Sequence, residues 1–562
     1  MQKSKTQNIY LFCLLVAWLI AASCANIVTP SGGSKDIMPP AVVSSEPLNG
    51  TKEFNEGTVK ISFNEFVKLT DVSKQLIISP FTEEMPDIKT RGKSVIVDFS
   101  DTLQSNTTYS IAFGDAISDI TENNVISNYR FVFSTGQDLD TLIIKGIVKN
   151  AFTKKTESDV LVMLYIQNED SVPLKKTPYY LAKTGIDGTF YFSSLRDNNY
   201  KIFALKDMNS DYLFDQPNEK IAFLDTLIQP RPADTVKDSS SRKKNIITLN
   251  LFEEDPATQR MMKAYPAMYG KVNLIFRKPL ETFSLNEVII KGSGFKKEIN
   301  KTKDTLTLWM NDPDNDSLML EVRENNIVLD TAEIELIKKG VKSNVKRGGV
   351  LQILQIKHNI NNKSAFDYYK TLTVEFSNPI VKYDFSKIII TENNDTVRPE
   401  ISFDYSNTVL SDTILRKLII GYKWKEGTNY SLFIPPAAFR DMFSLPNDTL
   451  KIDFKTTEQK DYGNVIFKIN AEKSYNLLIA QLVNENDAVF DEKLLTADGS
   501  VKFNFVKPGN YRMKLIIDLN NNGKWDTGNY VKNLQPEKVF YNPSSIQVKA
   551  NWDMELEWTV DD

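Results

Sequence analysis

Oxygen-bearing side chains recur at alternate positions in two places, and this is the chain's clearest chemical signal. In Asp518-Leu519-Asn520-Asn521-Asn522-Gly523-Lys524-Trp525-Asp526, the residues Asp518, Asn520, Asn522 and Asp526 offer oxygens, and Gly523 permits a sharp turn. An earlier stretch, Asp207, Asn209, Asp211 and Asp215, repeats the spacing without the glycine. Ca²⁺ takes roughly six to eight oxygen ligands, and loops of this spacing begin to supply them. The twelfth positions, Asn218 and Asn529, lack the bidentate Glu of an EF-hand. The same residue types also hold metal-free β-turns, because Asx side chains bond their own backbone. Both readings, calcium and turn, stay open at this stage, and Ca²⁺ is the one candidate cofactor.

Other chemistry is sparse. The single histidine, His358, excludes a zinc site built on several imidazoles. A Ser-His-Asp triad would have to use that residue, and Gln355-Ile356-Lys357-His358-Asn359 holds no acid or nucleophile beside it. A surface or turn position without catalytic duty is expected there. Asp312-Pro313-Asp314-Asn315-Asp316-Ser317 is a further acidic run, read as a hairpin cap with metal as the alternative. Trp309, Trp424, Trp525, Trp552 and Trp558 are either core residues or platforms for sugar rings. No phosphate loop, nucleophile elbow or paired-carboxylate motif is present, so no catalytic residue is assigned.

The elements that must position these loops read as strands. Val59-Lys60-Ile61-Ser62-Phe63, Tyr109-Ser110-Ile111-Ala112-Phe113 and Leu372-Thr373-Val374-Glu375-Phe376 alternate apolar and polar residues between Asn, Asp, Gly and Pro signals. An all-β chain of tandem antiparallel β-sandwiches is expected. One stretch, Pro256 to Ala264, reads as a short helix capped by Asp255.

Length and charge set outer bounds. The 562 residues exceed any single core, and about four or five domains are expected. The formal charge of −4 gives no clustered positive surface of the kind nucleic acid requires. Residues 24–40, with Pro30, Gly32, Gly33, Pro39 and Pro40, read as a tether. The stretch 231–264 reads as a linker with the short helix. Lys338, Lys339, Lys342, Lys346 and Arg347 form a basic run, read as a linker or solvated hairpin, with a membrane or glycan contact as the alternative.

Two kinds of unit repeat. Asp187-Gly188-Thr189-Phe190-Tyr191-Phe192 matches Asp498-Gly499-Ser500-Val501-Lys502-Phe503 at an offset of 311, which holds without a gap to Asp215 and Asp526. A second pair matches Thr107, Tyr109, Ser110 and Phe133 to Thr428, Tyr430, Ser431 and Phe454 at an offset of 321, with Asp119 one place from Asp441. The expected order is an A unit (41–137), a B unit (138–230), a block (265–347), then A (348–458) and B (459–562) again. The block opens Val272-Asn273-Leu274-Ile275-Phe276-Arg277-Lys278-Pro279, which parallels Phe376-Ser377-Asn378-Pro379 and points to a diverged A unit.

The residues also resemble known families. Lys3 and Lys5, the apolar run Ile9 to Ile20, and Ala21-Ala22-Ser23-Cys24 resemble the signal of bacterial lipoproteins, although Ala21 stands where the family usually has Leu. The resemblance implies a signal peptide over 1–23 and lipidation of Cys24. Cys13 would leave with the signal, so the mature chain would hold no disulfide. The A units, with Pro39, Pro40 and Pro47, an Ile-x-Phe strand, a Thr-x-Tyr strand and the close Phe131 to Thr135, resemble bacterial Ig-like domains of surface-layer proteins. The B units are similar to carboxypeptidase-regulatory-like (transthyretin-like) sandwiches. Lipid-anchored chains of this layout resemble those of Bacteroidota envelopes, which implies an outer-membrane location with the periplasmic face favoured.

The function expected is a non-enzymatic, lipid-anchored envelope protein serving as a structural or interaction scaffold. Its partners would be the membrane, through the lipid, and envelope proteins or glycans, without nucleic acid. Alternatives are a glycan- or protein-binding module serving a partner enzyme or transporter, and a hydrolase hidden in the central block.

Overall fold

A computed structural model describes residues 35–560, apart from 83, 100–102, 234–245, 257, 281–282, 290–293, 315, 326, 339–352, 362–364, 406–413, 472–474 and 497–498. Cys13, Cys24, Asn315, Asp498, Lys339, Lys342, Lys346 and Arg347 lie outside the described residues, as does most of the tether. The chain is all-β, a series of sandwiches made almost wholly from antiparallel strands. Among the described residues no α-helix exceeds four residues, and none is long and apolar enough to cross a membrane.

Period-two sequence builds the first A unit. In Thr58–Phe63, Val59, Ile61 and Phe63 are buried while Lys60 and Ser62 are half-exposed, as alternation across a strand requires. One sheet orders Val42–Glu46, Thr58–Phe63, Ser94–Asp98 and Asp87–Arg91; the other orders Ile77–Ser79, Thr108–Ala112 and Arg130–Ser134. Between them lie Ile61, Tyr109, Ile111, Phe131 and Phe133. A two-stranded ribbon, Val67–Leu69 with Ile117–Asp119, closes one side.

The second A unit repeats this layout and adds one short strand, Asp395–Val397, paired with Ile389–Glu392. Ile356–His358, Leu372–Phe376, Lys417–Gly421 and Glu400–Asp404 form one sheet, while Ile389–Glu392, Asn429–Ile434 and Leu450–Lys455 belong to the other. Its ribbon pairs Ile380–Tyr383 with Phe439–Asp441. Asp119 and Asp441 end equivalent ribbon strands, are both buried, and both accept backbone N–H groups of the following turn. Buried carboxylates hydrogen-bonded this way fix turn geometry, which is why the acid survives in both copies.

The central block has the same strand order. Met261–Met268, Lys271–Phe276, Thr305–Met310 and Phe295–Ile299 form one sheet; Phe283–Ile289, Ser317–Glu324 and Ile327–Glu335 form the other. The helix expected over Pro256 to Ala264 does not form. Met261–Met268 is instead a strand, paired with Lys271–Phe276 through a turn at Tyr269 and Gly270. A helix so short carries the full nucleation cost, whereas the hairpin adds ladder bonds and packs Met261 and Ala264 on the block's core.

The B units are distinguished by a parallel pair. Leu142–Asn150 runs parallel to Ile247–Glu253 and antiparallel to Thr189–Leu195; Gly463–Ala471 runs parallel to Asp553–Val560 and antiparallel to Gly499–Val506. The first B unit therefore includes Ile247–Glu253, and the boundary at residue 230 with a linker from 231 to 264 is corrected. Pro230, Pro232 and the serines hid a strand whose Leu249 and Leu251 alternate inward between Thr248 and Asn250.

Candidate functional site

The two acidic loops follow equivalent long strands, Lys201–Lys206 and Gly509–Asp518. In the first, Asp207 accepts N–H bonds from Asn209, Ser210 and Tyr212, and Asp211 accepts one from Leu213. The Asn209 amide donates to Asp211 at 2.9 Å and to Asp215 at 3.3 Å. In the second, Asp518 accepts from Asn522 N and Gly523 N, while the amides of Asn520 and Asn522 both donate to Oδ2 of Asp526, at 2.6 and 2.5 Å. All eight residues singled out in the sequence are thus brought together, four to a loop. Gly523 adopts φ +78°, the left-handed turn position.

A buried glutamate behind each loop went unread in the sequence. Glu219, 1% exposed, accepts from the backbone of Met208, Asp215 and Gln216; Glu537 accepts from Leu519 and Asp526. Burial pushes the Glu537 carboxyl above the ordinary range, against the opposing pull of those two amides. Glu219 falls four residues after Asp215, whereas Glu537 falls eleven after Asp526. The second copy is therefore seven residues longer here, and the gap-free repeat ends where the extra length begins.

That extra length is an arm reaching the first B unit. Tyr530, 7% exposed, packs edge-on against Phe203 and Phe223, with ring centroids 5.5 and 5.1 Å away, in a cluster with Phe214 and Phe252. Its hydroxyl donates to the Asp170 carbonyl and its N–H to Glu254. Thr527 Oγ1 donates to the Glu253 carbonyl at 2.6 Å, and Gln535 Nε2 donates to Phe223 O and Asp225 Oδ1. A Cβ on Gly528 would stand 2.6 Å from the Phe252 ring, so glycine lets the arm lie close. Alongside, Trp525 packs on Phe152 of the first B unit at 4.9 Å, and Lys155 pairs with Asp487 at 2.7 Å. Loops expected to hold a cation or a turn thus form the root of a seam joining units 311 residues apart in sequence.

Residues 36–135 match the bacterial Ig-like domain family. That segment is the first A unit, and its strand order recurs in the second with Asp395–Val397 added. No curated protein matches the chain. Among solved structures, the TIE protein of Bacillus anthracis is 10% identical over 94% of this chain and 76% of its own, with a TM-score of 0.16. The S-layer protein rSbsC(31-844) is 11% identical over 90% of this chain and 67% of its own (TM-score 0.14). BcpA, the major pilin subunit of Bacillus cereus, is 10% identical over 75% of this chain and 99% of its own, again at 0.14. Scores this low carry no argument about arrangement or task.

The remaining candidates fall in place around the Ig-like and B units. His358 is half-buried in Ile356–His358 opposite Val374, and its Nδ1 has no hydrogen-bond partner among the described residues. Trp309, Trp424 and Trp558 are core residues and Trp525 belongs to the seam, leaving Trp552 as the exposed one. Asp314 accepts from Tyr269 at 2.7 Å and Asp316 pairs with Lys338 at 2.6 Å; the run is not the hairpin cap expected, because it carries the chain from Thr305–Met310 in one sheet to Ser317–Glu324 in the other. No group of three His, Cys, Asp or Glu side chains is placed to hold a metal among the described residues.

Proposed function

We propose that this protein is a non-enzymatic, lipid-anchored scaffold of the bacterial envelope, held at the outer membrane through Cys24. The observation that carries this reading is the bonding of successive units at their junctions by buried aromatic and ionic contacts. Ser79 of the first A unit exchanges hydrogen bonds with Leu181 of the first B unit. Arg416 of the second A unit pairs with Glu298 of the central block at 2.7 Å, and Glu298 also accepts from the Trp309 indole. Tyr369 of the second A unit stacks on Phe505 of the second B unit at 4.2 Å. Such junctions suit holding surfaces at fixed separations better than loose display.

The direct test is substitution of the anchor. Cys24→Ala is expected to move the protein from the membrane to the soluble fraction, and unchanged membrane association would overturn lipid anchoring. Protease shaving of intact cells reports the leaflet, with protection expected for the periplasmic face. Trp552 is the exposed candidate among the tryptophans singled out as sugar platforms, so specific glycan capture lost in Trp552→Ala would replace the scaffold reading.

Calcium at the acidic loops is a second reading, favoured by the convergence of four oxygen-bearing side chains in each. Thermal unfolding with and without millimolar Ca²⁺ decides it, since an ion bound only by the folded state raises the midpoint. A rise that Asp215→Asn and Asp526→Asn remove supports calcium; no shift leaves metal-free turns.

A further inference from the structure

The seam between the two B units covers a lysine. Lys514 lies in the middle of Gly509–Asp518 and is 3% exposed, with its Nζ 3.0 Å from the ring centroid of Phe152 in the first B unit. Tyr541 of its own unit flanks it at 5.7 Å. Among the described residues it makes no ion pair, because the acids facing it are engaged elsewhere. Asp487 pairs with Lys155 across the seam and with Arg512 on Lys514's own strand at 3.0 Å. Glu492 accepts from the amide of Gln481, the residue directly opposite Lys514 in register. Phe152 belongs to the other unit, so docking itself takes water from this ammonium, and undocking returns it. A second amine, Lys154, is half-buried at the same seam beside Asn250, with Lys149 and Lys538 as its charged neighbours.

We propose that the seam between the B units is a proton-sensitive latch, in which proton loss from Lys514 and Lys154 tightens closure and proton uptake loosens it.

The sign follows from burial. Burial, to which Phe152 of the other unit contributes, pushes Lys514 down to about 8, with Asp487 and Glu492 pulling the other way. Burial pushes Lys154 down to about 8 as well, helped by Lys149 and Lys538. A solvated lysine titrates near ~10.4, so between about pH 8 and 10 the open form binds more protons and closure strengthens as pH rises. Below about 8 both forms are protonated and these groups add no further slope. Above about 10 the tyrosines oppose it, since burial holds Tyr541 up at about 12 and Tyr530 higher still, whereas solvated phenols ionise near ~10.

Trypsin cleavage of the arm at Lys532, in the full chain under native conditions, reads the opening. The Tyr530→Ala chain serves as an open reference that corrects for the enzyme's own pH profile. Relative to it, cleavage of the wild type is expected to fall up to about tenfold per pH unit per lysine between pH 8 and 9.5. Lys514→Met keeps the apolar stem and removes the charge, and is expected to lose about half of that slope. Adding Lys154→Met is expected to flatten the profile at the low, closed rate. Lys514→Arg, charged throughout, is expected to lose about half of the slope too, but at a raised rate. A flat wild-type profile, or Lys514→Met and Lys514→Arg chains that keep the full wild-type slope, would overturn the latch.

Discussion

Asp367 shows how one carboxylate joins two units. It is buried where the second A and B units meet, and takes hydrogen bonds or ion pairs from Tyr462 at 2.5 Å, Lys370 at 2.7 Å and Lys507 at 3.0 Å. Burial alone would raise its carboxyl, but the bonds from Lys370, Tyr462 and Lys507 outweigh that and hold it below the ordinary range. A depressed folded-state value gives stability that is complete above the unfolded value, near ~3.9, and is lost as pH falls through the lower folded one. Acid unfolding of wild type is therefore expected to show a loss in that window that Asp367→Asn lacks. At neutral pH the substitution is expected to cost about 1–3 kcal/mol, read from the denaturant midpoint. Residues of this kind were illegible beforehand. Nothing in Phe366-Asp367-Tyr368 announces a partner 95 positions away, just as nothing near Lys514 announced Phe152.

Among elements, the arm is the telling case. Period two and turn chemistry made the strands and the two repeats readable, because alternation records only which face of one strand is buried. They did not make the seam readable, since Tyr530 sits in a stretch with no periodicity and its partners lie in another unit. The one available signal was the end of the gap-free match after Asp526, followed by the later return of Glu537. The missed strand Ile247–Glu253 has the same lesson in reverse. Its equivalent Asp553–Val560 was inside the second B unit, and the repeat could have carried it back. Gly528→Ala is expected to lift the arm, because the new Cβ would meet both Phe252 and the Leu534 carbonyl, at 2.8 Å. Faster trypsin cleavage at Lys532 with an unchanged main thermal transition would report it. Tyr530→Ala removes a buried ring and is expected to weaken docking by about 3 kcal/mol, by analogy with core aromatic truncation.

For the whole molecule, the seam changes the connectivity. The first B unit leads through the central block and the second A unit to the second B unit, which returns to touch the first, so four units close a ring and the first A unit stands outside it. Tyr530→Ala is expected to open that ring while leaving every unit folded, giving a larger radius of gyration in small-angle scattering and the same far-ultraviolet dichroism. A radius unchanged in that variant would mean that the other junctions alone fix the arrangement.

A closed ring also divides load. A pull between residues 35 and 560 passes from the first A unit to the first B unit, straight across the seam, and into the second B unit. The central block and second A unit lie on a parallel branch that carries no tension while the seam holds. Once Tyr530 leaves its aromatic seat, that branch joins the path and the molecule lengthens by two folded units before any sandwich unravels. Single-molecule extension should then show an early, low-force step ahead of the unfolding peaks, and that step should be missing from the Tyr530→Ala chain.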